Sequence, residues 1–379
     1  MILLRVLLAA AGASAVIGTS SSLIRTLIVP RGLTSRLTRL VSATVRRGFL
    51  LVADRYERYE AKDALLAPLG PISLTVTLAT WLGCYLLGFW LLQMALSGQG
   101  PGASFRETGS SMFTLGFAST PSAGAMLVDF AAAATGPIVV ALQISYLPTL
   151  YSAYNRRETE VTLLQSRAGE PAWGPEILAR HQLVGILDSL RDFYAAWERW
   201  AADVAESHTN YPILVDFRSP KALRSWVVAL LAVLDSAALY NAAFPAESPS
   251  EARLCLRMGF LCLRDVAGTL GIAYDPDPRP DAEIQLTYDE FLGAYHRLEE
   301  VGFTMERTAE QAWPHFRGWR VNYESLAYEL AYRVDAVPAL WSGPRRRLKA
   351  VMAPNRPPDR KPESPDVTHP PSYGRYLDR

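Results

Sequence analysis

Long apolar stretches alternate with polar segments in the first half of the chain, and this pattern predicts helices that cross a membrane. Residues 71–97 contain no charged side chain, and a helix of that length can cross a hydrocarbon core about 30 Å thick. Residues 123–151 are nearly as apolar, with Asp129 as their one charged residue and Gly136 and Pro137 in the middle. Because proline inside a helix favours a kink, we expect a kinked second span.

A polar loop rich in Gly, Ser and Thr, residues 104–121, separates these two stretches. Lipid offers no hydrogen-bond partners, so a loop at membrane depth must be buried in protein or line a wet cavity. We predict that residues 106–113 form a short helix descending into the membrane and that residues 114–117 follow as an extended strand. Carbonyl oxygens of such a strand can replace the hydration shell of an ion, and Gly116 allows the positive φ that turns successive carbonyls to one side. This pattern indicates an ion pore.

The first 29 residues have two interpretations, a retained membrane-spanning helix or a signal peptide that is cleaved. Short basic loops stay on the cytoplasmic side, and the segment after this stretch is basic. Its basic residues are Arg25, Arg31, Arg36, Arg39, Arg46, Arg47, Arg55, Arg58 and Lys62. Charge therefore favours the retained helix, with the N-terminus outside, residues 30–70 inside, residues 97–122 outside and the chain after residue 151 inside. Arg5 lies in the first turn of this helix, which the topology does not explain.

The basic segment itself carries apolar residues at helical spacing. They are Leu33, Leu37, Leu40, Val41, Val45, Phe49 and Val52, with arginines between them. This spacing predicts an amphipathic helix that could lie on anionic lipid headgroups and brace the pore. A solvated linker helix fits the same pattern equally well.

Acidic residues return after residue 155, and residues 156–342 predict an all-α cytoplasmic domain with no βαβ rhythm. We expect a long amphipathic helix over residues 175–207 and further helices over 250–270, 287–300 and 322–341. Residues 220–244 are very apolar, but Lys221, Arg224 and Asp235 interrupt them. We interpret this segment as a buried core helix and keep a fourth membrane span as the alternative. Residues 343–379, rich in Pro, Arg, Lys and Asp, predict a disordered tail.

Other kinds of chemistry lack the residues they need. The chain has 379 residues and a net charge of +1, which argues against nucleic-acid binding. The three cysteines, at 84, 255 and 262, form no paired or CxxC pattern. His181, His208, His296, His315 and His369 are scattered. Glycine-rich nucleotide loops and hydrolase motifs do not occur, so we expect no enzymatic activity, cofactor or metal site.

Residues 71–155 resemble the two-transmembrane, pore-loop potassium channel superfamily. Thr114, Leu115, Gly116 and Phe117 match the family's filter motif by position, Ser111 stands where a pore-helix hydroxyl often lies, and Pro121 corresponds to the proline after the filter. The chain departs from the motif at three points. Ala118 replaces the second filter glycine, where we expect a positive φ and therefore strain, Ser119 replaces an aspartate, and the stretch 118–121 is about one residue short.

The resemblance implies a homotetramer in the plasma membrane that conducts potassium or another monovalent cation. Its selectivity filter would be residues 114–118, with Ser111 in the pore helix and Gly136 and Pro137 as the hinge of the inner helix. The helical domain would assemble or regulate the pore from the cytoplasm through a regulator that the sequence does not identify. A membrane-anchored scaffold or sensor with a non-conducting pore is the alternative, and Ala118 and Ser119 favour it.

Overall fold

Helices form every regular element of the residues that the computed structural model describes, which are 2–29, 35–119, 122–345 and 351–355. The α-helices are α1 (Ile2–Leu23), α2 (Arg36–Ala53), α3 (Tyr59–Leu66), α4 (Leu69–Ser97), α5 (Pro101–Met112), α6 (Ala123–Ala168), α7 (Gly174–Val184), α8 (Leu190–Asn210), α9 (Trp226–Ala243), α10 (Ser250–Leu270), α11 (Tyr288–Glu300), α12 (Ala309–Arg320) and α13 (Glu324–Arg333). A π-helical turn, Ile24–Ile28, extends α1. The chain divides into a first unit (Met1–Ala53, Pro68–Ser152, Asn210–Phe217) and a second unit (Asp54–Ala67, Ala153–Thr209, Arg218–Arg379).

Four helical segments among the described residues are long and apolar enough to cross a membrane. They are Ile2–Ile28, Tyr59–Ser97, Ala123–Ala168 and Trp226–Ala243. The chain is therefore a membrane protein by the length and composition of its helices.

In the first unit, α1 packs tightly against α4. A Cβ atom on Gly12 would lie 2.6 Å from the carbonyl oxygen of Gly88, so small residues at this crossing allow the two backbones to touch. Near the C-terminal end of α1, Trp81 Nε1 donates to Ser22 Oγ at 3.0 Å. Near the start of α1, Arg5 Nη2 lies 3.2 Å from the position that a Cβ atom on Gly98 would occupy. Arg5 therefore lies at the C-terminal, partially negative end of α4, which accommodates its charge.

The predicted amphipathic helix is present as α2, while Leu33 lies outside the described residues. Ser35 Oγ accepts the backbone N–H of Thr38 at 3.0 Å and contacts Ser22 Oγ at 2.6 Å, so α2 begins beside the end of α1. One face buries Leu50 and Ala53. Leu40 and Leu51 are exposed, together with Arg36, Arg39 and Arg47.

The second unit is built around α9, all 18 of whose residues are buried. Helices α7, α10, α12 and α13 pack around it. Its carboxylate, Asp235, accepts hydrogen bonds from the guanidinium of Arg320 and from the Tyr323 hydroxyl at 2.9 Å. This environment agrees with the interpretation of residues 220–244 as a core helix, because protein rather than lipid covers every side.

Two predicted helix boundaries in this unit are wrong. The expected single helix over residues 175–207 breaks at Gly185, whose φ of +71° ends α7; the N–H groups of Gly185 and Ile186 then bond back to the last turn of α7. The expected helix over residues 322–341 is only Glu324–Arg333, since Asp335 and Trp341 adopt positive φ. Helix α12 was not predicted, although Thr308 and Gln311 form a capping box at its start.

The predicted disordered tail also differs where the structure describes it. Arg345 is buried and donates to the carbonyl oxygens of Ala336 at 2.7 Å and Val337 at 3.0 Å. Asn355 pairs its backbone with Glu170 in an antiparallel bridge. Residues 343–345 and 351–355 therefore pack as part of the second unit, because backbone carbonyl groups of that unit offer partners that a solvated tail would lack.

Helix α3 is held in the second unit by buried ion pairs. Lys62 Nζ lies 2.6 Å from Asp335 Oδ2, and both side chains are 1% exposed. Asp63 Oδ1 accepts from Arg218 at 2.5 Å. Because Asp335 and Arg218 are far from α3 in sequence, these pairs tie three segments of the chain together.

We predict that Asp335→Ala destabilises the second unit by about 3–5 kcal/mol, because it leaves the Lys62 charge buried with one partner fewer. Denaturant unfolding of the purified protein measures this. Asp281→Ala is the control, since its pair with Arg279 is exposed and such pairs contribute little. Equal stability of the two variants would contradict the assignment.

Candidate functional site

Helix α5 turns back along α4. Gly98, in the left-handed region with φ of +70°, ends α4, and Pro101 begins α5. Ser97 and Ser104 hydroxyls lie 3.4 Å apart, and Trp90 Nε1 donates to the Pro101 carbonyl at 2.9 Å. Both ends of α5 are thus positioned against α4, since Met112 at its C-terminus is fully buried in an apolar cluster with Phe89. Phe89 lies about 12 Å along α4 from Ser97 at 1.5 Å per residue.

Helix α6 fixes the last turn of α5 at two points. Ser111 Oγ donates to Asp129 Oδ1 at 2.7 Å. A Cβ atom on Gly136 would lie only 2.1 Å from the Met112 carbonyl oxygen. Gly136 therefore allows the backbones of α5 and α6 to touch, which is a packing role. The expected hinge at Gly136 and Pro137 is not visible as a break, since α6 is one helix from Ala123 to Ala168 with Pro137 and Pro148 inside it.

The loop that follows α5 is organised by Ser110. Its carbonyl oxygen accepts from Leu115 N at 2.7 Å and Gly116 N at 3.4 Å. Its Oγ accepts from Phe117 N at 2.9 Å and Ala118 N at 3.1 Å. Four consecutive backbone N–H groups therefore point towards one serine that is itself 1% exposed.

The carbonyl oxygens of the same loop have no partner among the described residues. Within the part of the chain that the structure describes, the carbonyls of residues 114–118 accept no hydrogen bond. Thr114 and Gly116 adopt φ of +54° and +70°. The loop therefore offers a run of free oxygens beside the C-terminal end of α5, where the helix dipole contributes about half a negative charge. Oxygen ligands and negative potential suit a hard cation.

The residues singled out from sequence have the following surroundings. Ser111 bonds to Asp129, as described above, and Thr114 Oγ donates to the Phe113 carbonyl at 2.8 Å. Leu115 and Phe117 are 62% and 58% exposed. The expectation of a positive φ at Ala118 is wrong: among described non-glycine residues of the loop, Thr114 alone has one. Thr120 and Pro121 lie outside the described residues.

Sequence reasoning missed the roles of Ser110 and Asp129. A hydroxyl in the last turn of a polar helix is the signal that identifies Ser110, because such a side chain can reach the N–H groups that follow the helix. A carboxylate within an apolar span is the signal for Asp129, since such residues are rare and mark functional sites.

A buried polar face lies between α4 and α5. Its α5 residues are Ser104, Glu107 and Thr108, each at most 1% exposed, and its α4 residue is Gln93, which is fully buried. Within the described residues, neither amide atom of Gln93 has a hydrogen-bond partner. Polar side chains on this face reduce the apolar contact between the two helices.

Two histidines of the second unit, His181 and His208, are buried. Burial and the neighbouring Arg157 charge hold the pKa of His208 well below its ordinary value, so the neutral ring accepts from Arg157 Nη1 at 3.0 Å. Burial also lowers the pKa of His181, whose Nδ1 lies 2.6 Å from the Ile177 carbonyl. No group of three or more metal-binding side chains occurs among the described residues.

Comparison of the chain with protein-family models, with curated proteins and with solved structures finds no match.

We predict that Gly136→Ala lowers the melting temperature of the purified protein by several degrees, because the added methyl overlaps the Met112 carbonyl and overpacking costs about 1–3 kcal/mol. Gly83→Ala in α4 is the control, since a Cβ there meets nothing within 4 Å. A Gly136→Ala variant as stable as Gly83→Ala would show that α5 and α6 do not touch at this point.

Proposed function

We propose that this chain is the subunit of a homotetrameric channel for potassium or another monovalent cation, with α5 and residues 113–119 as its pore loop. The observation that carries the proposal is the arrangement at Ser110. Its side chain and carbonyl bind the N–H groups of residues 115–118, which leaves the oxygens of the loop free for an ion. The bond from Leu115 N to the Ser110 carbonyl, with Thr114 in the left-handed region, belongs to an ordinary helix C-cap. The feature that goes beyond such a cap is the Ser110 hydroxyl, which binds Phe117 N and Ala118 N.

The tetramer follows from the number of ligands. One chain supplies one loop, and a closed ring of carbonyls of the known kind needs four, which cyclic symmetry provides through identical interfaces. The exposed loop residues Phe113, Leu115 and Phe117 support this, since each is about half exposed or more in the single chain. Neighbouring subunits would cover these side chains.

For the membrane orientation we propose the plasma membrane, with the C-terminal domain in the cytoplasm. The contact of Arg5 with the end of α4 at Gly98 supports a retained first helix that is antiparallel to α4. Residues 2–53 contain arginines and no acidic residue, and short basic segments remain cytoplasmic.

Membrane lipid is the second partner we propose, at the exposed residues of α2. Arg36, Arg39 and Arg47 are exposed on this helix together with Leu40 and Leu51, which are 63% and 72% exposed. Arginines among exposed leucines suit the boundary between headgroups and acyl chains, where the leucines are buried and the guanidinium groups reach phosphate.

A non-conducting scaffold or sensor is the second candidate function. The observation in its favour is that Thr114 donates its hydroxyl hydrogen to its own neighbour's carbonyl, which ties up one oxygen at the start of the loop. Ala118 and Ser119 at the other end depart from the filter motif.

We predict that native mass measurement in mild detergent finds a tetramer, because the exposed loop residues and the ring of ligands both need four copies. Varying the protein concentration over a wide range separates a stable tetramer from transient association. Finding monomers or dimers throughout would contradict the pore.

We predict that the purified protein reconstituted in liposomes passes potassium or rubidium above empty vesicles, and that Thr114→Ala lowers this flux about tenfold. The reason is the loss of one oxygen ligand, and the magnitude corresponds to one hydrogen bond or ion contact. Thr114→Ser keeps the hydroxyl and is the matched control.

Two outcomes of this experiment count against conduction through the loop. If wild type passes no potassium, sodium or rubidium, the scaffold is the better proposal. If Thr114→Ser and Thr114→Ala lower the flux equally, the hydroxyl does not contact the ion, and backbone geometry at Thr114 is the cause.

A further inference from the structure

Arg106 lies beside Phe117, in the later part of the loop that follows α5. The loop turns back along the helix, so that Phe117 N binds Ser110 Oγ while the Phe117 ring lies 6.0 Å from Arg106 Cζ. Arg106 is one helical turn before Ser110, and its side chain is exposed. Among the described residues its guanidinium makes no ion pair.

Compensating negative charge is scarce within residues 98–122, and Asp129 of α6 lies outside this segment, at Ser111 in the last turn of α5. Between Gly98 and Ser122 the chain contains one acidic residue, Glu107, and one basic residue, Arg106. Glu107 is buried, with 1% of its surface exposed. At residue 119, just past Phe117, the chain has a neutral serine. The exposed fixed charge of the segment is therefore positive.

We infer that Arg106 slows cation passage and makes the currents at opposite voltages unequal, because it places a positive charge at this mouth of the pore. The inference rests on the proposed channel function. The guanidinium lowers the local concentration of cations, and so it slows entry from the loop side more than entry from the opposite side. A tetramer carries four such charges around one axis, which adds their potentials.

Ionic strength controls the size of this effect. The Debye length is about 30 Å at 0.01 M salt, about 8 Å at 0.15 M and about 3 Å at 1 M. The four arginines therefore act on a cation at the mouth in dilute salt and are screened in concentrated salt. From Coulomb's law in water we expect entry to be reduced several-fold at about 0.01 M and about twofold at about 0.15 M.

The test is single-channel recording of the full-length protein in planar bilayers with equal potassium chloride on both sides. The ratio of currents at opposite voltages measures the asymmetry without knowledge of the channel's orientation. We expect wild type to rectify several-fold at about 0.01 M salt and to approach a ratio of one at about 1 M. Arg106→Gln should remove the salt-dependent part of the ratio.

Two further variants separate charge from structure. Arg106→Lys keeps the charge and loses the planar group over Phe117, and we expect it to rectify like wild type. Arg5→Gln removes one arginine that lies beside Gly98, at the end of α4, and we expect it to leave the ratio unchanged.

Each remaining outcome overturns the inference. If Arg106→Gln conducts with the same salt-dependent ratio as wild type, the charge has no effect on entry. If Arg106→Lys loses the ratio as Arg106→Gln does, the contact with Phe117 and not the charge is responsible. If neither wild type nor any variant conducts, the proposed function itself is wrong, which is distinct from conduction that ignores Arg106.

Discussion

Backbone that leaves a helix among apolar neighbours must find new hydrogen-bond partners, and Ser110 supplies them for the loop after α5. It can do so only because the last turn of α5 has a fixed place. Met112 is buried among residues of α1, α4 and α6, and the contact at Gly136 brings the α6 backbone against the Met112 carbonyl. The position of the free carbonyls, and with it any cation site, depends on this close approach.

The second unit contains a network of buried charges. Arg320 is fully buried and binds Asp235, Glu324 at 2.9 Å, and the Tyr328 hydroxyl at 2.9 Å. Such a network contributes little net stability compared with apolar packing, but a missing partner is costly. It therefore specifies how α9, α12 and α13 pack together. The pair of Lys62 and Asp335 likewise specifies where α3 packs in this unit. Helix α3 immediately precedes α4 in the chain.

Helices α4 and α9 show why composition alone does not distinguish lipid from protein surroundings. Both are apolar enough to cross a membrane. Every residue of α9 is buried within the second unit, whereas Leu87 and Leu96 of α4 are nearly half exposed. Hydropathy measures only the preference for leaving water. Asp235 was the local sign that α9 has a protein environment, because its carboxylate needs the partners that Arg320 and Tyr323 provide.

The sequence by itself determined the all-helical class, the apolar spans, the amphipathic α2 and the polar loop between two apolar helices, because these features depend on the local spacing of apolar and polar residues. It also indicated the positive φ of Gly116, which is a property of glycine. Only the tertiary structure decided that Gly136 is a contact and not a visible hinge, that Ser110 binds the loop, and that Ser111 meets Asp129. It also placed the positive φ at Thr114 instead of Ala118 and packed Arg345 into the second unit. These features depend on which distant segments touch, and contact between distant segments leaves no periodic pattern in the chain.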